Sequence, residues 1–244
     1  MNISGSGSIA AGEYNDNISV SGSGKLNGNI RCIALSCSGS VKADGSVSCS
    51  ESVRISGSCH IDGDLGAESA SVSGSARVGR DVSVVNSVRI SGGFKCGGSI
   101  KCSSLSCSGG VDVEGEIEAD EIKVSGRINC AGLMNAEKID ISLEGSCTSS
   151  KIGSIGGSEI RIHNDRKRGG SARMPLLSRL VGAGGALAVE ELIEGDIVAI
   201  ECVRAPKVVG RVVAIGAGCN IDLVQYSEEI EIHPDAKVGK YEKV

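Results

Sequence analysis

A glycine returns every 17 to 19 residues through the first part of the chain: Gly5, Gly22, Gly39, Gly57, Gly74, Gly92, Gly109, Gly126 and Gly145. The residue before each is Ser, except Glu144 before Gly145. An apolar residue or Cys lies two positions before each: Ile3, Val20, Cys37, Ile55, Val72, Ile90, Cys107, Val124 and Leu143. A fixed period of this size means that each repeat is one structural unit stacked on the next. The chain therefore grows in one dimension.

Aligned on that apolar residue, the repeats show further columns. One reads Leu26, Ala43, Ile61, Val78, Cys96, Val113, Cys130, and another Ile30, Val47, Leu65, Val82, Ile100, Ile117, Met134. A third reads Cys32, Cys49, Ala67, Val84, Cys102, Ala119, Ala136. Apolar residues at alternating positions indicate strands with one buried face. The alternation is short and broken by Gly and Ser, which suit corners: Gly through positive φ, Ser through local hydrogen bonds. The first coil is weaker, with Gly7, Glu13 and Tyr14 where apolar residues are expected. Short strands joined by corners every 17 or 18 residues predict an all-β fold, a triangular parallel β-helix in which equivalent strands pair in parallel. Aromatic residues are 2%, with one Phe, three Tyr and no Trp, as expected if a narrow prism has no room for large rings. A disordered Gly/Ser linker does not keep apolar columns in register.

The net charge of −5 argues against nucleic-acid binding. Met1-Asn2-Ile3 runs directly into the first repeat, so no signal peptide is expected, and no window approaches the length of an apolar membrane span. Most of the 11 cysteines fall in apolar columns, and no C-x-x-C pair occurs. They read as small buried hydrophobes in a reducing compartment, with Cys32 near enough to Cys49 for oxidation after lysis. Asp44, Asp62, Asp64, Asp112, Glu114, Glu116 and Glu118 read as solvated strand faces.

Three segments are expected: coils over 1–162, an insert at 163–189, and about three terminal coils over 190–244. The insert carries Arg166, Lys167, Arg168, Arg173 and Arg179 beside Met174, Leu176, Leu177 and Leu180. It reads either as a surface loop, which a solenoid tolerates, or as a basic amphipathic segment touching an anionic membrane or a partner.

The Ser-Gly coils, together with the closing run from Val212 (VVAIGAGCNIDLVQYSEEIEIHPDAKVGK), resemble the bactofilin family of bacterial polymer-forming cytoskeletal proteins, in its longer Firmicute-type form. The resemblance covers the chain outside 163–189. It implies a right-handed parallel β-helix that assembles end to end into nonpolar filaments without nucleotide. It implies a cytoplasmic scaffold whose partner is a homopolymer of itself, with cell-envelope or membrane-associated proteins as further partners and a peripheral place at the inner face of the membrane. Many members carry a short N-terminal membrane-targeting segment; here coil-like residues begin at Ile3.

The open ends of such a prism expose unpaired backbone groups, which are templates for further pairing. Ile3, Ile9 and Ile18 are the expected contacts at one end, and Val238, Tyr241 and Val244 at the other. The competing readings are a non-polymerising β-helical adaptor and a left-handed β-helix acyltransferase. Ile215-Gly-Ala-Gly-Cys-Asn-Ile221 looks like one hexapeptide repeat of the latter, but the 17- and 18-residue periods do not, and His60, His163 and His233 are scattered. A polysaccharide lyase or hydrolase lacks the long loops it needs, and a calcium-binding roll lacks its glycine-aspartate series. No residue is assigned as catalytic, metal-ligating or cofactor-binding, and no small-molecule substrate is expected.

Overall fold

Alternating burial turns each repeat into short strands that pair with the same strands one coil away. The computed structural model describes residues 1–143, 150–164 and 187–244. Its 23 strands, with no helix among the described residues, pair in parallel throughout. This is the expected parallel β-helix.

One column can be followed from end to end. Ile3, Val20, Cys37, Ile55, Val72, Ile90, Cys107, Val124, Ile141, Ile162, Ile200, Ile215 and Ile232 are linked by successive register pairs, which makes about thirteen coils. From Val20 to Ile215 every member is buried. Ile141, not Leu143, follows Val124 in this column, because the 17-residue step persists there. Leu143 lies beside the core, partly buried. The columns beginning at Leu26 and Ile30 also hold.

In the first coil, Gly12 rather than Glu13 occupies the core position, pairing with Ile30, while Glu13 pairs with the outward Arg31. The prism also accommodates one large ring. Phe94 is 2% exposed, with Ala76 and Val111 as its register neighbours. The small Ala76 side chain leaves the volume that the ring fills.

The repeating glycines have a different cause from the one their corner position suggests. From Gly5 to Gly126 none of them has positive φ, which belongs instead to Gly28 (73°) and Gly218 (78°), among others. A Cβ at Gly57 would collide with the carbonyl oxygens of Gly39 and Ser38 one coil earlier, and the same holds from Gly22 to Gly126. The hydrogen bonds explain the approach. Ser56 and Gly57 both donate their backbone N–H to the Cys37 carbonyl (2.8 and 3.1 Å), and Ser58 donates to Gly39 (2.9 Å). Ser73 and Gly74 share the Ile55 carbonyl in the same way. Two donors on one oxygen pull successive corners into contact, so the position excludes a side chain. Gly5, in the first coil with no coil before it, meets nothing within 4 Å.

A second corner is held by side chains. Asn29 Oδ1 accepts from Ser46 N (2.9 Å), Ser46 Oγ from Asp64 N (3.0 Å), and Asp64 Oδ1 from Asp81 N (3.3 Å). Asp81 Oδ1 accepts from Ser99 N (2.8 Å), and Ser99 Oγ from Glu116 N (3.0 Å). Asp64 is thus a corner acceptor rather than part of a solvated face. Asp112 departs from that expectation too. It accepts two bonds from Arg127 (2.8 and 2.9 Å) and one from Asn129 (2.8 Å) in the next coil.

Around the expected insert, strand Lys151–His163 includes His163, and the next strand, Leu187–Ile200, begins before residue 190. The two pair directly, Ile162 with Ile200, so they are neighbouring coils of one solenoid.

Candidate polymerisation faces

The stack leaves two ends. At the first, strands Asn2–Ile3, Ser6–Ile9 and Gly12–Glu13 each pair on one side only, with the second coil. At the last, strand Lys237–Lys243 pairs only with Asn220–Ile232, and the Glu229–Ile232 stretch of that strand has a neighbour only on the Val212–Ile215 side. Each end therefore presents a row of backbone N–H and C=O groups with no ladder partner among the described residues.

The first face is lined by the small residues Ser6, Gly7 and Ser8 and carries the Met1 ammonium–Asp16 ion pair (2.9 Å). Ile3 is half-buried, and its side chain lies over Gly7 and Gly24, within 3.3–3.4 Å of where their Cβ atoms would be. Ile3 thus covers a part of the core that glycine leaves unfilled. Ile9 is buried and stacks on Leu26. Ile18 is 1% exposed and lies in the second coil, one residue before the register pair Asn2–Ser19. It is interior and takes no part in the face. Tyr14, outside the expected set, is half-buried against the core, with its hydroxyl donating to the Ala10 carbonyl (2.8 Å).

The last face is more apolar in its side chains and more charged at its edge. Val238 stacks on Ile221 half-buried, while Tyr241 stacks on Val224 and remains 59% exposed. Val244 is 68% exposed and bonds through its N–H to the Tyr226 carbonyl. Tyr226, Ile230, Ile232 and Ala236 complete the face, partly buried against the core. Stepping the 15- to 17-residue period forward from Val213 and Ile215 reaches Ile230 and Ile232, a signal in the sequence that would have found them. Lys237, Lys240 and Lys243 lie along the terminal strand. Hydrogen bonds from Lys240 and from Gln225 hold the Glu242 carboxyl below its usual range.

Arg166, Lys167, Arg168, Arg173, Met174, Leu176, Leu177, Arg179 and Leu180 lie outside the described residues.

The three histidines sit on different coils, each beside its own carboxylate: His60 with Asp62 (2.7 Å), His163 with Asp140 (3.3 Å) and His233 with Asp235 (3.9 Å). An open groove of about 450 Å³ contains His163, Asp140, Arg161 and Glu201, with no Ser, Thr or Cys among its described lining residues. Burial pushes the thiols of Cys96, Cys102, Cys107, Cys130 and Cys219 up to about 11, and that of Cys59 to about 12. Such thiols are protonated and inert at neutral pH. Among the described residues no group of three or more His, Cys, Asp or Glu converges as a metal site would require, and no helix is long and apolar enough to cross a membrane.

Residues 2–80 match the family model for Bactofilin, described as polymer-forming cytoskeletal. The match spans the first face and the coils that follow it. No curated protein and no solved structure matches the chain.

Proposed function

We propose that this chain, whose residues 2–80 match a polymer-forming cytoskeletal family, assembles end to end into filaments that serve as a non-enzymatic scaffold. The observation that carries the reading is the pair of end faces. Each joins one-sided strands to an incompletely covered core, with Ile3 and Tyr14 at one end and Tyr241, Val238 and Ile232 at the other. Backbone pairing together with apolar burial supplies the free energy of association. Such an interface needs no nucleotide. The scaffold would act in the cytoplasm, and the basic insert read from the sequence at 163–189 is the candidate for peripheral attachment to a membrane or to an envelope protein.

Electron microscopy of the purified protein in reducing buffer without nucleotide tests this. Filaments a few nanometres wide are expected. Tyr241→Lys and Ile3→Lys place a charge on each face at the end members of their columns, leaving the fully buried members in place, and each should leave short or dispersed particles with an unchanged circular-dichroism spectrum. Uniform monomers of the unmodified chain at high concentration would defeat the reading and leave the adaptor in its place. Acyl transfer is disfavoured by the scattered histidines.

A further inference from the structure

Ten of the cysteines lie among the described residues, all free, and Cys32 and Cys49 stand apart from the rest. They are register partners on adjacent coils, and their sulfurs are 3.4 Å apart. Paired strands lie roughly 4.8 Å apart, inside the Cα separation of roughly 4.4–6.8 Å that a disulfide spans. Other columns separate their thiols. Val113 lies between Cys96 and Cys130, Cys37 has Val20 and Ile55 as neighbours, and Cys107 has Ile90 and Val124. The ladder between their strands shifts register just after this pair, between Cys32 and Ala34, and Cys32 and Cys49 are 6% and 5% exposed, where most core residues of the neighbouring columns show about 1%.

We propose that Cys32 and Cys49 form an oxidisable dithiol, a modification site at which a peroxide closes an intercoil disulfide. The Cys32 sulfur attacks one peroxide oxygen. An S–O bond forms, the O–O bond breaks, and hydroxide leaves and takes up the thiol proton as water. The Cys49 sulfur then attacks the sulfenic sulfur. The S–S bond forms, and the hydroxyl leaves with the Cys49 proton as a second water. Two thiols are oxidised and one peroxide is reduced to two waters. The hydrogen bond between the two thiols lowers the pKa of Cys32 and raises that of Cys49, which favours Cys32 as the attacking sulfur. The product ties the second coil to the third, one coil in from the first end face.

The test is thiol mapping of the folded, full-length protein. After treatment with hydrogen peroxide, remaining thiols are alkylated under denaturing conditions and peptides are mapped by mass spectrometry, with and without prior reduction. The expected result is two fewer alkylated thiols per chain, a cross-linked pair joining Cys32 to Cys49, and full recovery with dithiothreitol. Cys49→Ala and Cys49→Ser should each abolish the cross-link, while Cys102→Ala, in the same column with no cysteine neighbour, should leave it intact. Two results overturn the proposal: both thiols remaining alkylatable while the more exposed Cys202 is oxidised, or Cys32 found joined chiefly to another cysteine or to a second chain.

Discussion

The coils up to Ile141 and those after Leu187 share one core but turn their corners differently. In the first set, from the column residue Val20 to Val124, a glycine lies two positions after the column residue, and its backbone touches the backbone of the coil before it. In the second set, the equivalent positions hold Cys202, Ala217 and Pro234. The corner there bends through positive φ instead, at Cys202 (54°) and at Gly218 (78°). The register step shortens with it: Ala199 pairs with Ala214, whereas Ser71 pairs with Arg89 in the first set. One corner is set by close packing between coils and the other by the conformation of single residues. The first solution demands glycine in every coil and so writes a visible period into the sequence. The second demands an unusual backbone only at certain coils and leaves the sequence free to vary.

The largest test of that contrast uses two neighbouring glycines. Gly92 faces the carbonyl oxygens of Gly74 and Ser73, whereas Gly93 has open space around its would-be Cβ. Gly92→Ala must push two coil backbones apart, and we expect a loss of about 4 kcal/mol, in the range reserved for severe steric faults. Gly93→Ala should be neutral or stabilising by roughly 0.5 kcal/mol through the unfolded chain. Urea denaturation of the two variants separates them. Equal effects would mean that backbone flexibility, not intercoil contact, explains the repeat.

The complementary test lies in the terminal coils. Cys202 is half-buried, donates to the Ala217 carbonyl through sulfur (3.7 Å), and holds a backbone conformation that costs a non-glycine residue roughly 1–2 kcal/mol. Cys202→Gly removes that strain, and thermal melting should show a net gain of up to about 1 kcal/mol once glycine's extra chain entropy and the lost thiol contact are subtracted. A clear loss would show that the thiol, rather than the corner, fixes this position.

The same contrast explains which parts of the molecule could be read in advance. The columns of Leu26 and Ile30 were legible because a period of 17 or 18 places like beside like in every coil. The reason for the glycines was not, because corner position points to positive φ, while the carbonyl that excludes a Cβ comes from a residue 17 or 18 positions earlier. Phe94 escaped a composition argument because its room depends on one neighbour, Ala76. At the ends, Ile3 and Tyr241 are the terminal members of their columns, each paired on one side, with Val20 and Val224. Ile18 was misplaced because chain position suggests the first coil, while the register puts it in the second. Asp64 and Asp112 looked like solvated surface because alternation reports which way a side chain points, not which backbone or guanidinium meets it.

The smallest effect concerns charge, and it too divides the two regions. Asp112 joins three coils. It accepts from Arg127 and Asn129 in the next coil, and Lys95 in the preceding one stands 4.0 Å away. Burial pushes its pKa up, but the bonds from Arg127 and Asn129 and the nearby positive charges outweigh that and leave it below the ordinary carboxylate value. A carboxyl whose folded pKa is depressed stabilises above its unfolded value, near pH 4, and that contribution is lost as pH falls through the folded value. The Arg211–Glu228 pair in the terminal coils is shorter, at 2.6 Å, but its side chains are 45% and 57% exposed, so water and salt screen it. Asp112→Asn should therefore lose about 1 kcal/mol at pH 7 and flatten the acid limb of the stability curve below pH 4. Glu228→Gln should change stability by less than roughly 0.5 kcal/mol. Urea midpoints at pH 7 and pH 3 would distinguish the two. If Glu228→Gln had the larger effect, distance rather than burial and multiplicity would govern these cross-coil ion pairs.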